Sequence, residues 1–271
     1  MATTTATLSP TAPAASLASS TRVVAKRAAL RYLRTPQIMV LGTIQGVMFL
    51  LIFRYVFGGA IGSGGLSYVN FLVPGFITTG ILFTGMGAAT AVAEDLEQGF
   101  VDRLRSLPIP RTSVLAGRAV ADTAMATWSA AISVGVGFLV GFRLHGSIGQ
   151  ALEAFALLIV FAFAFEWLFV LLGMLAGNAQ AAQGMALLVF PWTFISSAFV
   201  PVQTMPGWMQ VIADHQPVTF MVDAVRALTQ GSAAQAVLGH PASYYVARSL
   251  LWSIALVAVF APLAVARFRR G

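Results

Sequence analysis

A chain of 271 residues in which 58% are hydrophobic and only 9% charged, with a mean hydropathy of +0.83, has too few charges to coat a soluble globule, so lipid is its expected solvent. The net charge of +7 does not mark a nucleic-acid binder, because the basic residues sit in gaps between apolar blocks rather than on a polar face of their own. Cysteine is absent, which excludes disulfides and thiolate metal sites.

Residues 1–21, rich in Thr, Ala, Ser and Pro and without charge, read as a disordered tail. An interfacial helix is expected over 22–35, where Arg27, Arg31 and Arg34 fall on one side at i, i+4 and i+7 while Val24, Ala28 and Tyr32 fall opposite. Val23 and Leu30 intrude on the basic side, so a basic flank that only sets topology reads about as well.

Six apolar blocks follow, near 37–57, 69–93, 114–141, 151–176, 183–200 and 244–266. Each is long enough for a hydrocarbon core of about 30 Å, which takes about 20 helical residues. They lack strand alternation and are too long for barrel strands, so the expected fold is an all-α integral membrane protein with six transmembrane helices.

Within the first block Gly42 and Gly46 form a G-x-x-x-G pattern, which lets helix backbones approach, either inside this chain or against a second one. Glu166 lies inside the fourth block, thirteen residues beyond Glu153 and hence about 20 Å along the helix. A carboxylate at such depth costs about 3 kcal/mol or more unless it is protonated, paired or wet. It reads as a polar point on a substrate path or as a hydrogen bond to a neighbouring helix. As a lone carboxylate it would make a poor relay.

Between the fifth and sixth blocks Pro201, Pro206, Pro217 and Pro241 interrupt the chain, so short re-entrant or external helices are expected, with Trp208 at headgroup level. Asp223 and Arg226, at i and i+3 there, are expected to pair at a solvated surface; with Asp214 they form an alternative exit gate. If the spans alternate, twelve of the sixteen basic residues share one side, which places both termini in the cytoplasm.

Enzymatic signatures are missing. Lys26 is the only lysine and has no P-loop glycines around it, so ATP binding of that type is not expected in this chain. His145, His215 and His240 do not fall at metal-ligand spacing, and neither a metal nor a catalytic residue is expected.

The richest segment lies between the second and third blocks. Glu94 and Glu97 precede Gly99, then Asp102, Arg103, Leu104 and Arg105, and Pro108 and Pro110 stop the run. It reads as a short amphipathic helix at the inner surface, either docking a partner or holding its arginines in the cytoplasm.

The arrangement acidic-Gly-x-x-acidic-Arg-Leu-Arg-x-x-Pro, carried by Glu97, Gly99, Asp102, Arg103, Leu104, Arg105 and Pro108, resembles the cytoplasmic signature of type 2 exporter permeases of the ATP-binding-cassette (ABC) superfamily. Within that class it is most similar to daunorubicin/doxorubicin-resistance-type permeases of actinobacteria. Gly141-Phe142-Arg143, the Asn178–Gln183 turn and the stretch from His215 through Asp223 to Arg226-Ala227-Leu228 agree. The Asn178 turn departs from the pattern in lacking the arginine and proline often found there.

The resemblance implies a half-permease in the bacterial cytoplasmic membrane that pairs with a second permease chain, itself or a paralogue, and with two copies of an ABC ATPase subunit. ATP and Mg would bind that subunit, and this chain would carry no cofactor. Glu94, Glu97, Gly99, Asp102, Arg103, Leu104, Arg105 and Pro108 would form a coupling helix seated on the ATPase, together with the N-terminal interfacial helix. The cargo would be an amphipathic drug, antibiotic, lipid or glycolipid. A secondary transporter fits less well, since no inverted repeat is visible, and a non-transporting scaffold is the other alternative.

Overall fold

A computed structural model describes residues 46–58, 65–99 and 111–270, with scattered positions between 19 and 44. All regular elements among the described residues are helical: α1 (Gly46–Val56), α2 (Tyr68–Glu97), α3 (Arg111–Leu139), α4 (Ile148–Ala176), α5 (Ala179–Leu187), α6 (Val189–Phe194), α7 (Gly207–Ala213), α8 (Pro217–Gln230), α9 (Ser232–Leu238) and α10 (Ala242–Arg270). The end of α1 widens into a π-turn at Phe53–Phe57. Arg27, Arg31 and Arg34 of the expected interfacial helix, and residues 37–43 of the first apolar block with Gly42, lie outside the described residues.

Four helices, α2, α3, α4 and α10, are long and apolar enough to cross a membrane. Each has 29 or 30 residues and so spans about 44 Å, enough for a bilayer with its headgroup layers. Their outer faces expose Trp128, Leu139, Leu251 and Ile254, a surface that lipid accepts and water does not. The chain is a multi-pass membrane protein. Glu97, Arg111, Ala176 and Arg270 mark one end of the bundle, the near end, and Tyr68, Leu139, Ile148 and Ala242 the other, the far end.

The turns are written locally. Ser147 Oγ accepts from Gln150 N at 3.2 Å while Gln150 Oε1 accepts from Ser147 N at 2.8 Å, a capping box that starts α4. At its other end Gly177 sits at φ 78°, a left-handed value that favours glycine. Asn178 follows at once and caps α5, its Oδ1 accepting from Ala181 N at 2.7 Å.

Across 179–194, which overlaps the block expected at 183–200, the chain makes two short helices with a break at Leu188. Pro191 explains it: the ring has no N–H for the Leu187 carbonyl and crowds it. Irregular chain and a 3-10 turn at Val202–Thr204 then lead to α7.

Helix α2 is central, packing against α3, α4, α5 and α8. Its contact with α4 depends on small residues. A Cβ on Gly85 would come within 2.4 Å of the Phe169 ring, and one on Gly173 within 2.4 Å of the Ala89 carbonyl oxygen, so the two backbones approach as closely as side chains permit. The proline-rich segment does not lie wholly outside. Helix α8 is buried along its length from Val218 to Gln230, wedged among α2, α4 and α10.

Candidate functional site

Polar side chains inside an apolar bundle are costly unless satisfied, so their positions mark constraint. The described residues hold two such centres.

Towards the far end, Arg226 is fully buried. Its Nη1 donates to Asp223 Oδ1 at 2.5 Å, Nε and Nη2 donate to the Phe71 carbonyl at 3.2 and 3.0 Å, and Nη2 also donates to the Ser197 carbonyl at 2.8 Å. The guanidinium lies 3.8 Å from the centre of the Phe71 ring. Ser197 Oγ donates to the same Asp223 oxygen at 2.8 Å. This corrects the expectation of a solvated surface pair: α8 turns its polar side inward because the carbonyls of α2 and of the 195–200 turn offer acceptors there. One guanidinium thereby ties α8, α2 and that turn together.

Further bonds fasten α8 to the loop between α3 and α4. The His145 and Gly146 amides donate to Thr229 O at 2.9 and 3.1 Å. Gln230 Nε2 donates to Arg143 O at 3.0 Å, and Arg143 N in turn ties the same loop to α2, donating to Asn70 Oδ1 at 3.1 Å.

The second centre lies towards the near end. Arg118 of α3 donates from Nε to Asp122 Oδ2 at 2.6 Å and from Nη1 to Asp95 Oδ2 of α2 at 2.9 Å. Asp122 is buried, and so is Glu166 of α4, whose Oε2 has no hydrogen-bond partner. Among the described residues, the charges of Asp122 and Arg118 reach Glu166. Glu166 is therefore not the lone carboxylate read from the sequence. Asp122 was missed there, although Arg118 and Asp122 at i and i+4 inside an apolar helix are a readable signal.

Of the expected coupling residues, Glu94 is half-buried and Glu97 exposed in the last turn of α2. Glu97 Oε2 accepts from Ala179 N at 3.4 Å, placing negative charge at the amino end of α5. Gly99 follows in a turn at φ 64°. Asp102, Arg103, Leu104, Arg105 and Pro108 lie outside the described residues. A Cβ on Gly46 would meet nothing within 4 Å, so among the described residues that position packs against no neighbour. A half-open apolar cavity of about 230 Å³ lies between α2, α3, α4 and α8, lined by Pro74, Phe138, Phe142, Phe155 and Val225 among others.

Comparison with known proteins agrees with a membrane transporter. Residues 19–229 match the ABC-2 type transporter family. The chain is 33% identical over 244 residues to a daunorubicin resistance ABC transporter permease protein of Streptomyces coeruleorubidus, covering 90% of this chain and 83% of that one. It is 25% identical over 241 residues to a probable doxorubicin resistance ABC transporter permease protein of Mycobacterium tuberculosis, covering 86% and 83%. A putative transport permease of Porphyra purpurea is 26% identical over 207 residues, covering 74% and 70%.

Proposed function

We propose, since this chain belongs to the ABC-2 type transporter family, that it exports an amphipathic molecule with energy from ATP hydrolysed on a separate subunit. The chain is the permease subunit of an ABC exporter. The observation that carries the rest is the family match over 19–229 in a chain whose single lysine, Lys26, stands without P-loop glycines.

In the proposed complex two ABC ATPase subunits bind ATP and Mg, and two permease chains face each other, each with six spans and both termini in the cytoplasm. The near end faces the cytoplasm. The segment from Glu94 to Pro108 seats on the ATPase: Asp102, Arg103 and Arg105 offer ion pairs, and Leu104 offers an apolar ridge for a groove. Closure of the ATPase dimer pushes on this segment and, through α2 and the Glu97 contact with α5, on the bundle. The second permease chain docks along α1 and the broken α5–α6 pair, where Tyr55, Leu187, Leu188 and Trp192 are exposed.

The cargo is a drug, antibiotic, lipid or glycolipid, by analogy with the drug-resistance relatives. A cavity of about 230 Å³ falls below the roughly 300–1,000 Å³ of drug-sized sites. The path therefore runs between the two permease chains, or through a bundle repacked from the state described here.

Two outcomes follow. The purified chain alone should turn over no ATP above background, and turnover should appear on adding its ATPase; turnover by the chain alone that persists after every copurifying ATPase is inactivated overturns the division of labour. The second concerns sidedness. Single cysteines introduced into this cysteine-free chain at Ser106 and Ser232 should label only from the cytoplasm and only from outside, respectively. The reverse pattern at either position overturns the orientation.

A further inference from the structure

The near-end charge centre has a feature that export alone does not require. Glu166 is ten residues before the end of α4, about 15 Å from the near end along the axis. Asp122 is eleven residues into α3, about 17 Å from the same end, with Arg118 at about 10 Å and Asp95 at about 3 Å. Asp95 is about a fifth exposed, Arg118 about a tenth, Asp122 and Glu166 hardly at all. The four groups thus form a ladder from the membrane surface into the apolar interior.

The charges on this ladder do not match at its top. Arg118 already engages Asp95 and Asp122, while Glu166 has an oxygen sealed from solvent and without a donor. Glu166 packs against Gly85 and beside Phe169 on the close α2–α4 contact. Among the described residues no three carboxylates or histidines converge as a metal site. From α3 the charges of Arg118 and Asp122 reach it, and Asp95 of α2 is reached only through Arg118; α5 supplies no titratable group, and Arg267 and Arg269 near this end of α10 are exposed. The cation that fits a carboxylate oxygen sealed from solvent and without a donor is a proton.

We propose that Glu166 is an intramembrane proton-binding site, occupied in the packing described here, and that Asp122, Arg118 and Asp95 form the polar path by which its proton exchanges with the near end. Repacking of the α2–α4 contact during the transport cycle hydrates Glu166, releases the proton along that path, and makes the cycle sensitive to pH at the near end. The site depends on the chain being embedded in a membrane and not on which molecule is exported.

Infrared spectroscopy of the permease–ATPase complex in lipid bilayers tests this without a transport assay. At neutral pH the wild-type complex should show the carbonyl stretch of a protonated carboxyl. The band should shift when only the permease carries 13C-labelled glutamate, and it should be lost in Glu166→Gln. A wild-type spectrum without the band overturns the site, as does a band that ignores the glutamate label, a result that needs no variant to fold. The path has its own readout: on transfer to D2O the band should exchange more slowly in Asp122→Asn than in wild type. An unchanged exchange rate overturns the path.

Discussion

Arg226→Met should destabilise the permease by about 3–5 kcal/mol, the range for removing one partner of a buried ion pair. The substitution keeps most of the side-chain length but leaves the Asp223 carboxylate with only the Ser197 hydroxyl, and leaves two carbonyl oxygens, of Phe71 and Ser197, without the guanidinium. Because a membrane domain has a net stability of the same order as that loss, the variant should lose most of its monodisperse fraction in detergent. Removing both charges distinguishes the cause. In Asp223→Leu/Arg226→Met no buried charge is left uncompensated, and well-packed apolar replacements of ion pairs are often neutral. The double variant should recover much of the loss, leaving the cost of the two carbonyls. If Arg226→Met has wild-type thermal stability, or if the double variant is worse than the sum of the singles, Arg226 is not the tie that holds α8 in the bundle.

The second large effect lies in the coupling segment. Reversing charge in Arg103→Glu/Arg105→Glu should leave insertion intact, because surface substitutions usually change stability by under about 0.5 kcal/mol. Assembly should suffer. Losing buried charge-assisted contacts at an interface costs on the order of 2–5 kcal/mol, which weakens association tens-fold or more. At equal expression the ATPase should copurify with wild-type permease and not with the variant, and permease-stimulated ATP hydrolysis should fall with it. Copurification and stimulation both at wild-type level would remove this segment from the coupling interface.

Much of the fold was legible because lipid imposes a coarse rule: long apolar blocks must be helices, and α2, α3, α4 and α10 are such blocks. The proline-broken region was legible as short helices for the same reason. What the pattern hid was depth. Helix α8 has apolar and polar faces, the mark of a surface helix, yet its polar face is buried because carbonyls from residues 71 and 197 await it. Those acceptors come from chain far away in sequence, so no local pattern announces them. The Glu166 neighbourhood was half-legible. Its depth follows from counting, and the Arg118–Asp122 pair follows from spacing, but their meeting depends on how α2, α3 and α4 are rotated about one another. Gly85 and Gly173 bring α2 and α4 into close contact, and glycines recur too often in such spans to be singled out beforehand.

The central claim is that this permease moves its cargo only when a separate ATPase subunit hydrolyses ATP. It is tested most directly in inside-out membrane vesicles containing the permease with either wild-type ATPase or an ATPase whose P-loop lysine is replaced. Daunorubicin serves as the fluorescent amphipathic probe, with a fluorescent phospholipid as the alternative cargo. Uptake of at least one probe should require ATP, this permease and the intact P-loop, and should vanish when any of the three is withheld. Uptake that proceeds with the inactive ATPase on an ion gradient alone would contradict the account.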